Sequence, residues 1–285
     1  MEGGGGRLLR RGQRHVAGGG PPPHRPGPPR VPHRIAGVTS SSISFDRIAD
    51  RYDETRGGER RGQLLAAEID PYLGPGARIL EIGVGTGIVA TALARLGRGV
   101  VGVDISAEML GRAHVRLGSR VARGDAHALP TPSGAVDAAY FVWVLHLVGD
   151  PAAAVAEAGR VLRSGGRLVV VAGRPWTEAD DMTEHNEALD GLRKNRGDTA
   201  EATAEWAAGA GLRGIERRQL EEVFQQKPAD LADALEKRTF SFLWDLDEDT
   251  WTDVVQPAID GLRCLPEPTR PRRVVHHRDL LVFEN

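Results

Sequence analysis

A chain of 285 residues with 40% apolar content is long enough for one large domain with a substantial core. Its net charge of −2 gives no general attraction for polyanions, and its single cysteine, Cys264, excludes an internal disulfide framework and fits a reducing compartment. The longest apolar run, 138–148, is broken by His146 and is too short to span a bilayer, and no N-terminal stretch has the apolar centre of a signal peptide; a soluble, cytoplasmic protein is expected.

Residues 1–40 are rich in Gly, Pro and Arg, with seven arginines against Glu2 in residues 1–38, a local charge of +6 that leaves −8 for the rest. That composition cannot bury enough apolar surface to offset chain entropy, so a disordered basic extension is expected. It reads either as a tail for nucleic acid or acidic lipid, or as an extension from a start assigned upstream of Val38. Residues 41–285 are expected to form the folded domain. Phe45, Ile48, Ala49 and Tyr52 recur at helical spacing, and 60–72 reads as a second helix ended by Gly74-Pro75-Gly76. Strands then alternate with helices: strands at 78–82, 99–103, 120–123, 136–144 and 167–172, helices at 86–96, 106–117 and 150–162. Ser106 and Asp150-Pro151 supply the helix starts. After Ala172 the rhythm loosens. A helix at 199–211 and a strand at 215–224 precede two helices, 228–238 and 247–262, the second with a kink at Pro257, and 273–283 reads as a final strand. Near-continuous apolar strands separated by helices imply an α/β, doubly wound, mostly parallel sheet of seven strands with an antiparallel last strand. Residues 225–270 then form a helical insertion or lid before that last strand.

The most informative stretch is Ile79-Leu-Glu-Ile-Gly-Val-Gly-Thr-Gly87 with Val100-Val-Gly-Val-Asp104. A buried strand, a glycine turn, a helix and a second strand ending in an acid build a nucleoside pocket. Gly83, Gly85 and Gly87 let the backbone pass close to a ligand, and Asp104 stands at the distance where an acid accepts from both ribose hydroxyls. Dinucleotide turns read G-x-G-x-x-G, whereas here the third glycine falls one place early and Ile88 occupies the dinucleotide position.

The pattern Glu81-x-Gly83-x-Gly85-Thr86-Gly87 resembles motif I of the class I S-adenosylmethionine (SAM)-dependent methyltransferases. With Phe45-Asp-Arg-Ile-Ala-Asp-Arg-Tyr-Asp53, Gly124-Asp-Ala126, the stretch Val136 to His146, and Val161-Leu-Arg-Ser-Gly-Gly-Arg-Leu168, the chain is most similar to the branch that includes the ubiquinone and menaquinone C-methyltransferases and many small-molecule methyltransferases. The resemblance implies SAM as cofactor. Gly83, Gly85 and Gly87 would admit its methionine end, and Glu81 would bear on that end through water or the ammonium. Asp104 would accept from the ribose, with Ile105 packed on the adenine. Asp125 would accept from the adenine amino group beside the Ala126 N–H. Phe141 would offer a backbone carbonyl to the methionine amine, and Tyr52 would close over the cofactor.

His146 is the one histidine beside the inferred reaction centre. It is a candidate general base, with a pocket-shaping role as the other reading. Trp143 reads either as acceptor-pocket wall or as core. His276 and His277 point to opposite faces of a strand, so no metal site is expected. The expected activity is methyl transfer to the O, N or C of a small-molecule acceptor by in-line displacement, with no nucleic-acid partner. Two other readings stand beside it: a SAM- or nucleoside-binding protein without transferase activity, and a nicotinamide-dependent oxidoreductase, which Ile88 and Gly124-Asp125-Ala126 disfavour.

Overall fold

The computed structural model describes residues 53, 58–173, 175–192 and 198–285. The extension 1–40, the helix expected around Phe45–Tyr52, and Tyr52 itself lie outside the described residues. All described residues fall in one compact unit spanning 37–285.

Eight strands form one sheet among the described residues: β1 Arg78–Ile82, β2 Gly99–Asp104, β3 Val121–Arg123, β4 Val136–Val142, β5 Leu162–Val171, β6 Trp176–Thr177, β7 Arg213–Gln226 and β8 Arg272–Glu284. The order runs β3-β2-β1-β4-β5-β8, with β7 on the far side of β8 and β6 beside β8 beyond the end of β5. The strands β1 to β5 pair in parallel, Ile79 lying between Val100 and Ala138. β8 runs antiparallel to both β5 and β7. The expected doubly wound sheet is therefore present with one strand more. β6 has only two residues, too short to leave a periodic pattern in the sequence. β5 also begins earlier than expected, at Leu162. It carries Gly165 at φ +70° inside the strand, and its pairing with β4 shifts between Val136 and Ala138.

Strand alternation sends side chains to two cores. Ile79, Val100, Ala138, Tyr140, Val169 and Val282 pack against the helices α1 Gly58–Ile69, α2 Ile88–Arg95 and α3 Ala107–Leu117. Leu80, Val103, Ala139, Phe141, Val170 and Phe283 pack against α4 Pro151–Val161 and α6 Ala200–Gly209 on the other face. Tyr140 and Phe141 are both fully buried, each on its own side of the sheet. Full burial of one such side chain contributes about 1.5–3 kcal/mol. Local caps agree with the sequence: Ser106 Oγ accepts from Met109 N (3.1 Å) and Asp150 Oδ1 from Ala153 N (3.0 Å).

A third core is helical. It joins α5 Thr183–Ala188, α7 Pro228–Glu236 and α8 Gln256–Cys264 through Met182, Leu189, Leu235, Val255, Ile259 and Leu262. The insertion 225–270 thus packs with a segment just after β5 that the sequence left unassigned. The kink expected at Pro257 takes the form of a π-helical stretch, Trp251–Val255, directly before it. Proline has no N–H to donate and its ring crowds the carbonyl four residues back, so the chain widens there.

Candidate active site

The sheet presents the C-terminal ends of β1, β2, β4 and β5 to one edge, where a doubly wound fold takes its ligand. At the end of β1 the glycine turn is left-handed three times over, with φ +78° at Gly83, +53° at Gly85 and +81° at Gly87. The three positions differ in surroundings. A Cβ on Gly83 would run into Val144, and one on Gly87 would stand 3.0 Å from Leu117 Cδ1. A Cβ on Gly85 would meet nothing within 4 Å, so this is the glycine that faces open space. Gly83 and Gly87 are therefore required by the protein's own packing, and Gly85 leaves room beside the backbone.

Asp104, at the end of β2, fastens the turn. Its Oδ2 accepts from Gly85 N (2.7 Å) and its Oδ1 from Ser106 N (2.9 Å). Two backbone donors fix the carboxylate between the glycine turn and the start of α3, with half-buried Ile105 beside it. Thr86 is buried, and its hydroxyl donates to Asp53 Oδ1 (2.5 Å), whose Oδ2 accepts from Arg116 (2.5 Å). Asp53 thus ties the segment before α1 to the glycine turn.

Glu81 lies fully buried under the turn and accepts from the Tyr140 hydroxyl at 2.8 Å. Burial pushes its carboxyl up to about 8; the Tyr140 and Ala90 hydrogen bonds oppose this and the Asp104 charge adds to it. Burial and the Glu81 charge together hold the Tyr140 phenol well above its ordinary value. The Glu81 carboxyl is therefore mainly protonated at neutral pH in the protein alone.

After β3, Asp125 Oδ1 accepts from both the backbone N (2.9 Å) and Nδ1 (2.7 Å) of His127. His127 Nε2 in turn accepts from Asp150 N at 3.3 Å, which assigns the ring proton to Nδ1. Ala126 is half-buried against the α4 side of the sheet. Phe141 is fully buried and paired between Ile82 and Val170, so only its backbone can reach a ligand.

Beyond β4 the structure gathers residues distant in sequence. Trp143 has φ +57°, a conformation a bulky residue holds only when its surroundings enforce it. The Arg61 guanidinium lies 4.0 Å and the Arg278 guanidinium 4.9 Å from its ring centre. Glu222 sits 2.5 Å from Arg61 and 3.6 Å from Arg278. The buried Arg278 also donates to the Gly173 carbonyl. His146, in the short turn Leu145–Leu147, places Nδ1 3.4 Å from Oδ2 of Asp198, and that same oxygen accepts from Gly173 N at 2.6 Å. Burial works to raise the Asp198 carboxyl, but the His146 and Gly173 contacts outweigh it and hold the group below its ordinary value. Sequence reasoning reached His146 and Trp143 and missed Asp198, Gly173, Arg61, Arg278 and Glu222. His127 was within reach, two residues from Asp125.

Among the described residues no group of three or more His, Cys, Asp or Glu is placed to hold a metal ion, and no helix is long and apolar enough to cross a membrane.

Residues 80–170 match the family model described as a methyltransferase domain. The match runs from β1 into β5 and includes the glycine turn and Asp104. A demethylmenaquinone methyltransferase of Mycobacterium marinum is 38% identical over 130 residues, which are 44% of this chain and 56% of that protein. The chain spans between 42% and 60% of the length of the curated relatives it matches. Among solved structures, a SAM-dependent methyltransferase of Thermotoga maritima superposes with a TM-score of 0.51 at 22% identity, over 86% of this chain and 99% of that one. The cyclase SpnF superposes with a TM-score of 0.54 at 19% identity, over 87% and 97%. These superpositions establish a shared fold. SAM is the cofactor of the methyltransferase domain, and the turn with Gly85 open beside Asp104 fits an adenosyl group bearing an amino acid.

Proposed function

We propose that this protein transfers a methyl group from SAM to a small-molecule acceptor. The observation that carries the reading is the junction of β1 and β2: a glycine turn open at Gly85, fastened to an acid whose two oxygens are both oriented by backbone donors. In this reading Asp104 holds the ribose hydroxyls, Ile105 the adenine face, and Asp125 with the Ala126 N–H the adenine edge. Glu81, the three glycines, the Phe141 carbonyl and Tyr52 serve the methionine end.

Bound SAM supplies an electrophilic methyl on a sulfonium, open to in-line displacement by a nucleophilic O, N or C. The chain's own task is to hold the acceptor in line and exclude water. Such positioning accounts for roughly 7–11 kcal/mol of a barrier. The helical unit of 182–192 and 225–270 is proposed as the cover of the acceptor side. The Mycobacterium marinum relative is named for demethylmenaquinone, which supports a ring-bearing, quinone-like acceptor.

The fold alone does not decide between transfer and binding without transfer, because a cyclase shares it. Calorimetry should find that the protein binds SAM and S-adenosylhomocysteine and ignores NADH. Asp104→Ala removes charge-assisted hydrogen bonds worth roughly 1.5–3 kcal/mol each, about tenfold or more in affinity. Equal affinity in parent and variant would reject the pocket assignment. Transfer of labelled methyl from SAM then separates an enzyme from a binding protein.

A further inference from the structure

The cluster at the ends of β4 and β5 contains a histidine, a buried acid and a glycine in one contact set. Gly173 stands two residues beyond the end of β5, and its missing side chain makes the contact possible: a Cβ there would run into the His146 ring and stand 3.0 Å from Asp198 Oδ2. The Asp198 side chain is only 3% exposed, whereas His146 keeps 28%. The ring thus lies on the Gly173 backbone with Nδ1 turned to a carboxylate that Gly173 N also orients. Arg278 braces the same glycine from its carbonyl side.

We propose that Asp198, seated by Gly173, is a positioning residue that holds His146 as a proton acceptor, and that the methyl acceptor is therefore a weakly acidic hydroxyl compound, a phenol or an enol. This rests on the methyl-transfer reading above. Asp198 accepts from Nδ1–H, which leaves Nε2 as the basic nitrogen, and its charge stabilises the imidazolium that forms. The Nδ1 to Asp198 distance of 3.4 Å is long for a hydrogen bond, as such contacts often are before a substrate is bound. In the transfer, the acceptor's O–H proton passes to His146 Nε2 as the oxygen forms its bond to the methyl carbon. The sulfur–methyl bond breaks with its electron pair left on sulfur. The imidazolium then returns its proton to water. An amine acceptor has no need of this pair, since its nitrogen attacks as the free base and sheds a proton afterwards. The neighbouring charges are Arg278 on β8, which donates to the Gly173 carbonyl, and Glu222 on β7 and Arg61 on α1, which meet it around Trp143. Arg61 and Arg278 are each within 4 Å of Glu222, so Asp198 is the carboxylate in ion-pair reach of His146 among the described residues.

The test is ring-labelled histidine NMR on the full chain with S-adenosylhomocysteine present, His146 being assigned by His146→Gln. The neutral ring should carry its proton on Nδ1. In Asp198→Ala Nδ1 has no carboxylate to donate to, so the proton should move to Nε2, the position free imidazole favours; in Gly173→Ala the ring should lose its coupling to Asp198. A parent ring protonated on Nε2, or a proton that stays on Nδ1 in Asp198→Ala, overturns the positioning role. Offered labelled SAM, the parent should methylate 1,4-dihydroxynaphthalene. Asp198→Asn should cut kcat roughly 10²–10⁴-fold and remove the acidic limb of the pH–rate profile, with SAM affinity held within about threefold. Transfer to histamine alone, transfer to neither compound, or a normal kcat in Asp198→Asn would overturn the hydroxyl assignment. Failure to bind SAM would instead reject the methyl-transfer reading, and the NMR result would still judge the histidine pair.

Discussion

Glu81→Gln isolates the electrostatic cost of the acid beneath the glycine turn. The folded protein holds this carboxyl at about 8 against an ordinary 4.5, chiefly because burial penalises its charged form. Between those two values the folded state binds a proton that the unfolded chain has released. Stability is therefore complete below about pH 4.5, falls as the pH rises, and levels off above about pH 8. The whole span amounts to on the order of 5 kcal/mol, of which roughly 2–3 kcal/mol is lost between about pH 6 and about pH 9. Glutamine keeps the size of the neutral acid and an oxygen for the Tyr140 hydroxyl, but it has no proton to lose. Melting temperatures of parent and variant without ligand should be measured at both ends of that range. A change of 2–3 kcal/mol is about 5–10 °C for a fold of this size, so the parent should drop by that much more than Glu81→Gln on going to the alkaline condition. Other groups titrate in both proteins alike and cancel in the difference. Equal pH dependence in the two would show that Glu81 is ionised at neutral pH and would refute the buried-acid description.

The same acid is proposed to serve the methionine end of the cofactor. If the SAM ammonium comes to rest on Glu81, binding near neutral pH should release a proton as the carboxyl ionises; calorimetry in buffers of different ionisation enthalpy would detect it, and zero release would separate Glu81 from the cofactor. The glycines of the turn should divide by function. Gly87→Ala puts a Cβ at φ +81° against Leu117 and should lower the melting temperature, whereas Gly85→Ala points its Cβ into open space and should lose at least tenfold in SAM affinity for a left-handed strain of about 1–2 kcal/mol. Equal effects of the two on binding and on melting would contradict that division.

The parts of the molecule legible from sequence are those whose partners are close along the chain. The strand β1, the glycine turn and the acid of β2 span 27 residues, 78–104, and each leaves a local mark: an apolar run, three positive-φ positions, a carboxylate at the strand end. The caps at Ser106 and Asp150 are equally local. The pairing of His146 with Asp198 is not local. It depends on a segment after Ala172 with no helical or strand period, and Gly173 acquires its meaning only once a ring lies over it. Trp143 read as either wall or core for a similar reason. Its two guanidinium neighbours arrive from α1 and β8, 82 and 135 residues away in sequence, and no spacing rule joins them. The aromatic residues of the insertion find partners within the helical unit. Phe240 stacks on Phe242 at 5.7 Å, Arg238 lies 4.1 Å from the Trp251 ring, and Trp244 Nε1 donates to the Arg238 carbonyl.

This contrast has a physical basis in how the two halves of the site are built. The half proposed for the cofactor is made of backbone donors, glycines and short acids at the ends of adjacent parallel strands, so its geometry follows from the sheet and tolerates little change. The half beyond β4 is assembled from side chains on α1, β7, β8 and the segments after β4 and β5. It is held by ion pairs and cation–π contacts around Trp143 and by one histidine–aspartate pair. Each such contact can be exchanged without moving a strand. In the methyl-transfer reading, a different acceptor is expected to be accommodated by changes at Arg61, Trp143, His146, Asp198, Glu222 and Arg278, with the glycine turn and Asp104 left in place. The match of the methyltransferase model, 80–170, contains Trp143 and His146 and leaves out Arg61, Asp198, Glu222 and Arg278. What would distinguish this protein's acceptor from those of its relatives is expected at those four residues outside the match.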